Sequence, residues 1–314
     1  MGKEMRAVLA EQLQEAMKHN PNIVVLDADL AKANGTIKLR DIYPDRAFDV
    51  GIAEQDMASI AAGMASYGFI PFIGSFTAFA TRRICDQIAI SICYAKQNVK
   101  IIGSDPGITA ELNGGTHMSV EDIGVLRSIP SIVIFEPVDA VQLSKAIPQI
   151  IEYPGPVYIR LFRKEAPEIF NPTSYSFNLM RADVLQSGRD VTLFASGIMV
   201  AEALQAAHML LSEGIDAEVI NVHTIKPLDE ETILASVRKT GAAVTCENHS
   251  VIGGLGSAVA ELLCKEAPTY LERIGIEDHF GEVAKVDYLK PAYHMTACDI
   301  ASAAKRSVER KRNH

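Results

Sequence analysis

Two apolar patterns alternate along this chain. Met5, Val8, Leu9, Leu13, Ala16 and Met17 recur three and four residues apart, the spacing of one helix face, and Asn20-Pro21 ends that helix. Residues 23–26 are then continuously apolar and run into Asp27-Ala28-Asp29. Similar runs at 69–73, 99–102, 132–135 and 157–159 predict further strands, with helices over 82–95 and 139–152 between them. Uniformly apolar strands that alternate with helices predict a parallel sheet covered on both faces. The periodicity fails between 163 and 179, where Pro167, Asn171-Pro172, Thr173 and Ser174 read as a connecting segment. A second unit follows, with strands at 191–195, 217–221 and 242–247 and helices at 200–213, 230–239, 255–264 and from about 296. The expected fold class is α/β, with two consecutive three-layer α/β domains of mostly parallel sheets. Residues 1–165 form the first, 166–182 a linker, and 183–314 the second.

Composition narrows this picture. A chain of 314 residues is long enough for two cores. No apolar run approaches the roughly 18 residues of a membrane span, and Lys3, Glu4, Arg6 and Glu11 break up the start, so neither a membrane partner nor a targeting peptide is expected. A net charge of −9 argues against nucleic acid as the main ligand. The five cysteines form no CxxC pair and sit among apolar residues, which predicts buried thiols in a reducing cytoplasm.

Several segments carry candidate chemistry. Glu54, within Asp49-Val50-Gly51-Ile52-Ala53-Glu54-Gln55-Asp56, opens a helix of small residues. A carboxylate there is either an exposed capping charge or a buried proton-transfer partner. Asn113-Gly114-Gly115-Thr116-His117 is a glycine-rich loop that ends in a histidine and allows close backbone approach to a ligand. Ser75-Phe76-Thr77-Ala78-Phe79 follows the strand at 69–73, at the edge where open α/β sheets bind ligands. Its phenylalanines suit either a core or a stacking platform. Arg82-Arg83 and Arg160/Arg163 are solvent charges, or anion ligands if they converge. Gly253-Gly254-Leu255-Gly256 reads as a tight packing turn rather than a phosphate cradle, and His249 before it as structural. GxSxG, HExxH and GxxxxGK[ST] are absent, which weakens hydrolase, metalloprotease and P-loop readings.

In order along the chain, Asp27-Ala28-Asp29-Leu30, Gly51-Ile52-Ala53-Glu54-Gln55, Gly74-Ser75-Phe76 through Asp86-Gln87, Gly114-Gly115-Thr116-His117, Glu136-Pro137-Val138-Asp139-Ala140, the stretch 221–229 and the stretch 247–256 resemble the carboxyl half of transketolase. The resemblance implies thiamine diphosphate as cofactor and a first domain that binds its aminopyrimidine ring. Glu54 then matches the glutamate that shares a proton with the ring, a task that an apolar setting favours. Phe79 and its companion Phe76 match the stacking aromatics, Asp29 and Arg82 fall among cofactor contacts, and His117 lies near the reacting centre. Arg6 and Arg163 match arginines that bind a sugar's terminal phosphate.

The family's Gly-Asp-Gly…Asn motif for the diphosphate and its Mg²⁺ (or Ca²⁺) is absent. The resemblance therefore implies a split transketolase, with the metal on an N-terminal partner subunit in an α2β2 assembly and two-carbon transfer between sugars. A pyruvate-using carboligase like 1-deoxyxylulose-5-phosphate synthase and a non-catalytic assembly paralogue are the alternatives. Asp105 stands where the family has a phosphate-contacting histidine, Asn113 where it has an acceptor-contacting aspartate, Arg82 for a tyrosine and Ala33 for a serine. A carboxylate beside a phosphate is repulsive, so an unusual sugar phosphate or a differently placed acceptor is expected.

Overall fold

The computed structural model describes residues 3–313, so positions 1, 2 and 314 of the domains drawn from the sequence lie outside the described residues. The first half folds β1 (Ile23–Asp27), β2 (Ala47–Asp49), β3 (Ile70–Phe76), β4 (Lys100–Ser104), β5 (Val133–Phe135) and β6 (Val157–Leu161). The second half contributes β7 (Asp183–Gln186), β8 (Val191–Ala195), β9 (Ala217–Asn221), β10 (Thr224–Lys226), β11 (Ala242–Ser250) and β12 (Tyr270–Ile276). One sheet runs β10-β5-β6-β4-β3-β1-β2 and is parallel apart from β10. The other runs β12-β11-β8-β9-β7 and is parallel apart from β7.

Helices cover both faces of each sheet, which is why β1, β4, β6, β8 and β9 are buried along their whole length. In the first sheet, α1 (Met5–His19) and α7 (Ala140–Glu152) pack on one face. Opposite lie α4 (Glu54–Ser66) and the segment Gln87–Tyr94. In the second sheet, α8 (Met199–Ser212) and α12 (Ala297–Arg312) cover one face, and α9 (Glu230–Thr240) and α10 (Leu255–Glu266) the other. Side-chain caps fix where several helices start. Asp139 accepts from Gln142 N, Asp229 from Thr232 N, and Thr296 with Asp299 closes a capping box. No described helix is long and apolar enough to cross a membrane.

The structure departs from the sequence reading in several places. The helix expected over 82–95 is a 3₁₀ turn, Arg82–Ile84, followed by π-helical turns over Gln87–Tyr94; that stretch has no Pro or Gly to mark the change. β10 is three residues long, too short for a periodic signal, and carries the second half of the chain back into the first sheet. The connecting segment is strapped down: Asp139 Oδ2 accepts the amides of Ile169 and Phe170, and Phe177 and Leu179 enter the first core. Finally, Cys264 and Cys298 are exposed rather than buried, on the outer faces of α10 and α12.

Candidate active site

Glu54 is the first residue of α4 and only 3% exposed. Its position is set by Asp49 at the end of β2, whose Oδ1 accepts from Asp29 N at 3.0 Å and Gly51 N at 2.8 Å. This ties the turn after β1 to the loop that leads into α4. Asp29 itself is exposed there with a φ of +60°. Ile52, Ala53, Glu54, Gln55, Ser59 and Arg83 line an open cleft of about 610 Å³. Within it Arg83 Nη1 donates to Glu54 Oε1 at 2.7 Å, and the same guanidinium lies 3.8 Å above the Phe79 ring. A flat donor group thus stacks on an aromatic and bonds to a buried carboxylate in one place.

Phe76 ends β3, and Phe79 follows in the short helix Thr77–Ala80. Thr77 Oγ1 donates to Ser104 O at the end of β4, holding the two strand ends together at 3.0 Å. The His117 ring meets Phe79 and Phe76 edge-on, with centroids 5.1 and 5.9 Å away. The second domain backs the loop that presents it. A Cβ on Gly115 would lie 2.6 Å from Gly281 O, and one on Gly281 would lie 2.0 Å from Met118 Sδ. Asn113 is exposed at the end of the stretch Gly107–Asn113. Arg82 turns away to Glu121, 2.6 Å from its carboxylate, so the arginine that reaches Glu54 is Arg83.

A cationic cluster adjoins the aromatics. Arg163, just after β6, holds its guanidinium 5.3 Å from the Phe76 ring and pairs with Asp105 Oδ2 at 2.5 Å. Arg6 N donates to Arg163 O at 3.1 Å, so the start of α1 lies alongside that arginine. Asp105 has a φ of +53° and is 1% exposed. Burial pushes its carboxyl up to about 6, although the Arg163 charge and amide pull it down. Glu54, Phe76, Phe79, His117, Arg163, Asp105 and Arg6 therefore gather beside the carboxyl ends of β1, β3, β4 and β6, the ligand edge of an open parallel sheet.

Other polar residues from the sequence reading lie elsewhere. Arg160 is fully buried between the domains, bound to Asp122 at 2.7 Å, Glu136 at 2.5 Å and Asn248 O at 2.7 Å, so it does not join Arg163 at an anion site. His249 is buried, with Nδ1 donating to Ser250 O and Nε2 accepting from Gly124 N. The Gly253–Gly256 turn is closed to phosphate because Glu247 already accepts from Leu255 N and Gly256 N. Arg83 is the site residue that periodicity did not single out. An α-helical register does not tell it from Arg82, whereas the 3₁₀ turn sends the two in different directions.

Two open α/β sheets, with a cleft of about 610 Å³ and a cluster of charged and aromatic side chains beside the strand ends of the first, define a two-domain α/β protein. The sequence matches the family models for the transketolase pyrimidine binding domain over residues 2–168 and the transketolase C-terminal domain over 180–300. The chain belongs to the transketolase family. It is 53% identical over 307 residues to the 6-deoxy-6-sulfo-D-fructose transketolase subunit SqwH of Clostridium sp. (strain MSTE9), covering 98% of this chain and 95% of that one. It is 37% identical to one of the subunits of the apulose-4-phosphate transketolase of Phocaeicola vulgatus, covering 87% of each. A solved split gene transketolase, described as an inactive beta4 tetramer, superposes with a TM-score of 0.90 at 43% identity, covering 98% of this chain and 99% of that one.

Proposed function

We propose that the chain is the pyrimidine-binding subunit of a thiamine-diphosphate-dependent transketolase, which moves a two-carbon ketol unit from a ketose to an aldose. The observation that carries this reading is the Glu54–Arg83–Phe79 arrangement. An aminopyrimidine is also flat and carries donors on its edge, so it suits the place the Arg83 guanidinium takes, with Glu54 at its edge and Phe79 at its face. Thiamine diphosphate, when bound, supplies the carbon nucleophile that takes up the two-carbon unit. Glu54 is to hold the proton shared with the ring, and its burial excludes water from that contact. Phe76 and Phe79 are to fix the ring plane, and His117 is to hydrogen-bond the reacting oxygens from the other side. Asp29, Arg82 and Asn113 remain candidates for contacts with cofactor or acceptor, from the loops they occupy. Arg6 and Arg163 are to bind the anionic end of the sugar.

Among the described residues no group of three or more His, Cys, Asp or Glu side chains converges to hold a metal. The diphosphate and its Mg²⁺ are assigned to an N-terminal subunit on another chain, in an α2β2 assembly in the cytoplasm. Two features support this: the relatives are named as subunits, and Ile52 in the cleft, Tyr67 at the end of α4 and Tyr94 at the end of the segment beside it are exposed, offering apolar surface to another chain. The test is to co-express the chain with that subunit and assay ketol transfer. Glu54→Gln, which keeps the shape but cannot share the proton, is expected to lower kcat by about 10²–10⁴. Retention of parental activity by that variant would remove the reading.

A further inference from the structure

The anion end of the site has an unusual charge balance. Three cations gather there, Arg6, Arg163 and Lys164, and each already has a carboxylate. Arg6 Nε lies 2.8 Å from Glu4, Arg163 Nε lies 2.5 Å from Asp105, and Lys164 pairs with Glu111. Backbone pairing holds the cluster together: Arg6 N donates to Arg163 O and Met5 N to Lys164 O. Ala33 adds a carbonyl, an acceptor that faces Arg6 at 3.5 Å. The guanidinium donors are therefore present, but the three ion pairs together carry no net charge.

The three carboxylates are not equivalent. Glu4 holds Arg6 through both oxygens but is exposed, so water and salt screen it. Glu111 is partly buried and pairs with Lys164, not with either guanidinium. Asp105 is fixed. It is 1% exposed, sits on left-handed backbone, and its Oδ1 accepts from Arg163 N at 3.3 Å. Any anion that reaches Arg163 meets this carboxylate at short range. A phosphate monoester carries about −1.5 to −2 near neutrality and meets that repulsion with nearly twice the charge of a sulfonate. A sulfonate is a monoanion with three acceptor oxygens and no titratable proton, which suits guanidinium donors without calling for a second net positive charge.

Resting on the transketolase reading above, we propose that Asp105, clamped to Arg163, sets the substrate class of this site as ketoses that end in a sulfonate rather than a phosphate. Ketol transfer removes C1 and C2 of such a hexulose, so the released four-carbon aldose keeps the sulfonate on its last carbon. The same arginine cluster thus serves donor and product. The proposal fits the relative named for 6-deoxy-6-sulfo-D-fructose and rests on the paired charges of this chain.

The experiment uses the complete enzyme, this chain with its N-terminal subunit, and compares kcat/KM for 6-deoxy-6-sulfofructose and fructose 6-phosphate. The parent is expected to favour the sulfonate by at least about tenfold. Asp105→Asn should move the ratio toward the phosphate by a similar factor. Asparagine tolerates left-handed backbone almost as well as aspartate does. Asp105→Gly, also at ease there, guards against a folding effect and should move the ratio the same way. Glu4→Gln, at the screened position, should move it less than about threefold. A parent that prefers fructose 6-phosphate, or a ratio unmoved by both Asp105 variants, overturns the assignment while ketol transfer itself stands. Absence of transfer from these and every other ketose offered overturns the transketolase reading as well.

Discussion

Arg83 makes with Glu54 and Phe79 the two contacts that a cofactor ring is proposed to make with them, so ring and guanidinium compete for one space. Its side chain is 42% exposed, and an ion pair with so open a partner contributes at most about 1 kcal/mol. Arg83→Ala is therefore expected to lower the thiamine diphosphate concentration for half-maximal activity, by no more than about fivefold. Titrating cofactor into the assembled enzyme reads this directly. A large rise in that concentration would instead show that Arg83 holds the cofactor, for instance through its phosphates. For Glu54 the sequence alone leaves a capping charge and a buried proton partner open. Burial favours the second, yet α4 shows how one residue suits both, since its carboxylate lies at the positive end of the helix dipole. The competing arginine is not legible in the sequence, because which of two adjacent arginines faces the cleft depends on a 3₁₀ turn.

At the scale of elements, uniformly apolar runs place most of the strands, since burial on both faces leaves that mark on the sequence. β2, β7, β10 and β12 are not legible: β2 and β10 are three residues long without the continuous apolar run that marks β5, and β7 and β12 are only partly buried, so their residues are not uniformly apolar. The glycine turn before α10 is a packing turn, as its sequence suggests, and the structure explains its glycines. A Cβ on Gly254 would lie 1.9 Å from Glu247 Oε2, and one on Gly256 would lie 2.9 Å from Oε1. Glu247 is fully buried against the α10 N-terminus. Burial pushes its carboxyl up from 4.5 to about 7, with the two amides opposing the rise. The folded chain thus binds this proton more tightly than the unfolded chain does. The resulting stabilisation is fully present below about pH 4.5 and is lost as pH rises through about 7. Glu247→Gln never ionises, so its melting temperature relative to the parent should improve between pH 5 and pH 7.5. Parallel melting curves at both pH values would show that Glu247 does not titrate in this window.

Across the whole molecule, the two domains, which the sequence reading joins only through the connecting segment 166–182, are also held together by buried polar groups outside it. Arg160 on β6 binds Asp122 and Glu136 of its own domain and the Asn248 carbonyl of the other, while Ser196 at the end of β8 donates to Glu136 at 2.7 Å. Asn248 also donates to Pro106 O and accepts from Ile108 N, gripping the loop that follows Asp105. Burial alone would raise the Asp122 carboxyl, but Arg160 holds it below the usual carboxylate range. The domain junction and the proposed anion site are therefore built on the same strand ends, with Arg160 facing inward and Arg163 outward three residues later. Removing the buried cation strands two buried carboxylates, which costs about 3–5 kcal/mol. Arg160→Met, which keeps most of the volume, is expected to lose that much in urea unfolding of the chain. It should also separate one cooperative transition into two, because the contact that couples the sheets goes with it. Arg163→Met strands one buried carboxylate, Asp105, rather than two, and should lose less, about 1–3 kcal/mol, while weakening anion binding. Equal losses in the two variants would mean that Arg160 does not link the domains energetically, and that β10 and the strapped segment 166–182 carry the junction instead.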